Sequence, residues 1–105
     1  MLFLLALAAA GADHPTYLRC SFDRPGGDIY ITADEPNSSV TVAVPSTGFS
    51  EKLQAAFTPT EVRFQNRQLS YVLSRTDLSV ARTIKLLSSV DNGKCAIEQA
   101  PKRAF

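Results

Sequence analysis

Two cysteines, one histidine, ten carboxylates and seven arginines are the groups in this 105-residue chain that could do chemistry. Cys20 and Cys95 are an even pair in a small chain with export features, which reads as a disulfide closing roughly 75 residues. In the chain-entropy model such a loop is worth about 4 kcal/mol. The other reading is two free, buried thiols. There is no Cys-x-x-Cys for thioredoxin-type redox work. One histidine and two cysteines are too few for a zinc site of four Cys and His ligands, and no metal or other cofactor is expected. His14, beside Pro15 near the start of the body of the chain, is poorly placed to serve a Ser-His-Asp or Cys-His arrangement. No G-x-S-x-G elbow and no phosphate-cradling glycine loop occurs. Gly26-Gly27 suits a hairpin turn instead.

The carboxylates offer a second route. Asp23 and Asp28 flank one turn signal, and Asp34 and Glu35 sit in the next. A pair of them could act on a glycosidic bond, or a set could hold calcium, but the calcium-loop spacing is absent. Acids beside turns ordinarily cap or face water. The arginines stand out more. Residues 61–85 carry a local charge of +3 within a chain whose net charge is +1. Arg63 points away from the apolar phase, whereas Arg75 and Arg82 fall within it. A charge on an apolar face needs a partner, a bulge or a strand end. Three readings follow. The stems can run along apolar surface with the heads in water. One head can pair with Asp77 or another carboxylate. Or Arg63, Arg67, Arg75 and Arg82 can form a basic surface for an anionic envelope glycan or lipid headgroup. Nucleic acid is not expected, since Arg and aromatic residues do not interleave. Phe49, in the segment 45–51, is either an exposed anchor for a partner or a core residue. Asn37-Ser38-Ser39 matches the glycosylation sequon.

These groups would have to be positioned by strands. Apolar residues alternate at Leu18, Cys20 and Phe22, at Ile29 and Ile31, at Val40, Val42 and Val44, at Val62 and Phe64, and at Leu69, Tyr71 and Leu73. Leu78, Val80, Ile84 and Leu86 share a phase too, and Cys95 and Ile97 lead out. The segment 49–57 fits a short helix through Phe49, Leu53 and Phe57, or a strand through Leu53, Ala55 and Phe57. The strand is preferred, because so short a helix is marginal. Turn signals separate the runs at residues 24–28, 34–37, 45–48, 66–68 and 75–77. Asp91-Asn92-Gly93 is the last of them, and Asn-Gly is a strong hairpin signal. The expectation is one all-β domain, residues 13–105, of seven or eight short strands in a small antiparallel barrel or sandwich. Cys20 and Cys95 would tie its first strand to its last.

Residues 1–12 stand apart. Eleven of the twelve are hydrophobic, while the rest of the chain is only about 39% hydrophobic. The apolar run 2–10 is too short to span a bilayer as a helix, and Ala10-Gly11-Ala12 suits a signal peptidase site. Residues 1–12 are thus expected to be a cleaved signal peptide, with the remainder exported to the periplasm or beyond. No membrane span is expected in what remains.

Tyr71-Val72-Leu73-Ser74-Arg75-Thr76-Asp77-Leu78 followed by Gly93-Lys94-Cys95 resembles small exported single-disulfide proteins of bacteria and their phages, a resemblance covering about a quarter of the chain that brings no activity with it. The architecture is also similar to bacterial inhibitors of C-type lysozyme, small disulfide-tied β-barrels of the envelope. Ser46-Thr47-Gly48-Phe49 resembles their inhibitory loop. Their Trp-containing strand has no counterpart, as the chain contains no Trp, and no inhibitory residue is carried over. The expected function is non-enzymatic: an exported domain that binds a protein or an anionic envelope partner, or stabilises an envelope or virion assembly. The alternatives are lysozyme inhibition and a small glycan-acting hydrolase using the turn carboxylates.

Overall fold

The computed structural model describes residues 14–23 and 27–99. The expected signal peptide 1–12, its cleavage point before Asp13, the centre of the first turn and the tail 101–105 lie outside them. Eight antiparallel strands follow one another around a closed barrel: β1 Thr16–Phe22, β2 Ile29–Asp34, β3 Ser39–Val44, β4 Phe49–Phe57, β5 Glu61–Gln65, β6 Leu69–Ser74, β7 Ser79–Ile84 and β8 Ser89–Glu98. Each strand pairs with the next, and β8 returns to pair with β1. Closure leaves neither end of the sheet as an open edge. Every strand and the disulfide fall within residues 16–98, so a chain beginning at Asp13 keeps every pairing that closes the barrel.

The alternation read from the sequence becomes the inside and outside of this barrel. Leu18, Cys20, Ile29, Ile31, Val40, Val42, Val62, Phe64, Tyr71, Leu73 and Val80 are buried within it. Phe64 and Tyr71 are cross-strand partners whose rings stack at 4.8 Å. Segment 49–57 is a strand throughout, as preferred, but its inward residues Leu53, Ala55 and Phe57 are only partly buried. The cause is register: β4 pairs with β5 over three residue pairs, from Ala55↔Phe64 to Phe57↔Val62. The first part of β4 runs past the β5–β6 hairpin. There the side chain of Asn66 reaches back to bond the Glu51 carboxylate at 2.8 Å.

Cys20 and Cys95 are directly opposite each other on β1 and β8, Cα to Cα 4.0 Å, and are joined by a disulfide. The bond therefore crosses the seam where the first strand meets the last.

One turn is displaced from its expected place. Asp91-Asn92-Gly93 is not a turn but part of β8, and the chain reverses at residues 85–88 instead. Leu86, expected to share the core phase of Val80, sits in that turn and is 93% exposed. Two local facts override the Asn-Gly signal. Asp91 faces inward, opposite Arg82. Gly93 lacks the left-handed backbone such a hairpin turn needs; it serves the seam, since a Cβ there would lie 2.4 Å from the Ser21 carbonyl oxygen and 2.9 Å from the Phe22 ring.

Candidate functional site at the far end of the barrel

Strand direction sorts the turns into two groups. Turns 35–38, 58–60 and 75–78 lie at the end where β1 begins, the entry end. The end of β1, the start of β2 and the turns 45–48, 66–68 and 85–88 lie at the opposite, far end.

The far end carries an inward-facing ionic group. Arg82 lies on β7, in phase with Val80 as the sequence reading noted. Its guanidinium donates to the Asp91 carboxylate at 2.9 Å, and its Cζ lies over the Phe22 ring, 4.0 Å from the centroid. Asp91 is 4% exposed. Tyr71 is the cross-strand partner of Arg82 on the other side; burial pushes its phenol above the ordinary value, an effect the nearby guanidinium partly offsets. Above this group opens a cavity of about 230 Å³ lined by Val42, Val44, Glu51, Leu53, Tyr71 and Arg82. The cavity is mixed in character: aliphatic walls and the Phe49 ring, with one carboxylate, one guanidinium, one phenol and the amides of Asn66 and Gln68.

The rim of this end is apolar and uncovered. Phe49 begins β4 and is 49% exposed, neither sunk in the core nor fully free. Gly48 precedes it with φ of +75°, closing the turn 45–48 with bonds from the Thr47 and Gly48 N–H groups to the Val44 carbonyl. Across the mouth, Leu86 and Leu87 form the tip of the turn 85–88, and Leu87 is 66% exposed. The tip is tied down by Leu87 N–H donating to the Ile84 carbonyl at 3.2 Å. Lys85 spans to the neighbouring turn, its ammonium donating to the Asn66 carbonyl at 2.8 Å. Arg67 is exposed in that turn.

The entry end is built differently. Arg75 grips both Glu35 carboxylate oxygens, at 2.7 and 3.3 Å, and donates to the Thr58 carbonyl at 2.7 Å. One guanidinium thus braces all three entry-end turns. Beneath it is a cavity of about 190 Å³ whose lining joins Leu18, Phe57, Val62 and Leu73 with Glu35 and Arg75 themselves.

The arginines singled out in the sequence are therefore spread out. Arg82 is inside the far end, Arg67 is on its rim, Arg75 is at the entry end, and Arg63 faces outward on β5, paired with Glu61. Both apolar-phase arginines have carboxylate partners, though neither partner is Asp77. The turn acids are similarly divided: Asp23 and Asp28 at the far end, Asp34 and Glu35 at the entry end. Asp28 accepts from Arg19 at 2.7 Å and from Ser21 at 2.9 Å. These contacts, the Arg19 bond foremost, hold its carboxyl below the ordinary value. Asp34 accepts from the Asn37 amide of the sequon at 2.8 Å. Among the described residues there is no cluster of three or more His, Cys, Asp and Glu able to hold a metal, and no helix is long and apolar enough to cross a membrane.

Comparison with protein families, with characterised proteins and with solved structures finds no match. The site is thus argued from its own residues. Sequence reasoning passed over Leu87, Glu51 and Asp91. A signal for the first was present: the adjacent leucines 86 and 87 break the alternation, so one of them has to leave the core.

Proposed function

We propose that the chain is an exported, non-enzymatic β-barrel that binds a partner of the cell envelope or of a virion through its far end. The observation that carries this reading is the pair Leu86 and Leu87, exposed at 93% and 66% on a hydrogen-bonded turn tip. Two adjacent leucines held in water contribute nothing to the barrel core. With Phe49 they leave three exposed apolar side chains at the far end, whereas Ile97 is exposed near the entry end. Clustered exposed apolar groups are characteristic of contact surfaces. Export is supported by the leader-like residues 1–12 and by a disulfide, which persists in oxidising compartments. The hydrolase alternative has less support, because its four candidate acids are divided between the two ends.

The test is capture from envelope extract by the chain beginning at Asp13, compared with its Leu86→Ser/Leu87→Ser variant. Capture should fall about tenfold in the variant, and equal capture by both would overturn the reading. N-terminal sequencing of the exported protein should begin at Asp13, and retention of residues 1–12 would refute the export step.

A further inference from the structure

Resting on that reading, we propose that the partner at the far end is an anionic lipid surface. Leu86 and Leu87 enter the boundary between headgroups and acyl chains, while Lys85 and Arg67 meet the phosphates.

Two features point to lipid. First, Leu86 and Leu87 project from the turn tip, and Phe49, half exposed at the start of β4, stands on the other side of the barrel in strand order. A protein partner would have to meet separated apolar points, whereas a fluid apolar phase accepts them all at once. Second, cations are held beside the tip. The Lys85 ammonium is fixed on the Asn66 carbonyl, and Arg67 is exposed in the same neighbouring turn. Of the acids at this end, Asp28 is matched by Arg19, Glu51 is bonded by the Asn66 amide, and Asp23 is exposed directly after β1. Apolar insertion combined with cations at the headgroup level is the pairing that favours anionic over neutral membranes.

Vesicle cosedimentation decides the matter, using the chain beginning at Asp13 so that the apolar run 2–10 cannot itself bind lipid. The probes are vesicles of phosphatidylcholine alone and of equal phosphatidylcholine and phosphatidylglycerol. Binding should be confined largely to the phosphatidylglycerol vesicles and should weaken with added salt. Leu86→Ser/Leu87→Ser should lower partitioning about tenfold or more. Arg67→Ala and Lys85→Ala should each lower it about fivefold. All four substitutions alter exposed side chains, and an intact disulfide by mass with an unchanged circular dichroism spectrum verifies each fold. No binding to either vesicle, equal binding to both, or binding indifferent to the leucines overturns the proposal. If vesicle binding fails while capture from envelope extract still depends on Leu86 and Leu87, the partner is a protein: the lipid inference falls and the binding function stands. If neither depends on the leucines, both fall.

Discussion

The two ends of the barrel use the same chemical pair, an arginine and a carboxylate, to opposite effect. At the entry end Arg75 and Glu35 both lie in turns, and their bond clamps separate turns over a cavity that both side chains help to line. At the far end Arg82 and Asp91 both lie in strands, side by side on β7 and β8, and their bond faces the barrel interior. A pair in turns braces the rim. A pair in strands leaves the rim to lighter contacts, such as Lys85 on the Asn66 carbonyl, and puts a guanidinium in the cavity wall. The uncovered leucines thus occur at the end whose ionic pair does not reach the turns.

The disulfide keeps the two ends in one body, because it crosses the only seam that joins the first strand to the last. Cys20→Ser/Cys95→Ser should have the largest effect of any change considered, about 4 kcal/mol in urea unfolding. A loss confined to local fraying of β1 and β8 in hydrogen exchange, with global stability unchanged, would show that either end can stand without the seam.

Next in size is the contrast between the pairs themselves. Asp91 is 3% exposed at its side chain, while Arg82, Glu35 and Arg75 retain 22%, 22% and 27%. Losing the arginine leaves Asp91 with no water to replace it, while Glu35 can rehydrate. Arg82→Gln should therefore cost about 3 kcal/mol and Arg75→Gln about 1 kcal/mol by denaturant titration. Equal costs would mean that the far-end pair is as wet as the entry-end pair, and the comparison would fail.

The contrast between the ends was only half legible in the sequence. Alternation located the strands and hence the barrel class, since a half-buried strand has to place its apolar residues on one face. It also flagged Arg75 and Arg82 as charges in the apolar phase that need partners. What it could not supply was the partner. Glu35 is forty residues from Arg75, and which turns meet at one end depends on the parity of the strands between them. Asp91 was hidden for a different reason: Asn92-Gly93 is locally a strong turn, and only the tertiary need for a bare Cα against Ser21 and Phe22 accounts for the glycine. That misplaced turn concealed Leu86 and Leu87, because it assigned Leu86 to the core.

The smallest effect separates the ends through two exposed acids. Asp28 at the far end is held ionised chiefly by the Arg19 side chain. Asp77 at the entry end is lowered to about 2 by the Ser79 backbone N–H and hydroxyl and by Ser74. Both folded values lie below the unfolded one, so each acid stabilises the fold above about pH 4 and loses that contribution as pH falls through its folded value. For Asp77 the window runs from about pH 4 down to about 2. The causes differ in their response to salt. A guanidinium is screened by counterions at an exposed site, whereas hydrogen bonds from a neighbouring backbone N–H and hydroxyl are not. In carboxyl NMR titrations, added salt should move the Asp28 midpoint up toward the ordinary aspartate value further than that of Asp77, whose one charged contributor, Lys94, is the weakest of its causes. Ser79→Ala should raise Asp77 alone, and Arg19→Ala should raise Asp28 alone. A common salt response would mean that the net field of the barrel, and not the local construction of each end, sets both acids.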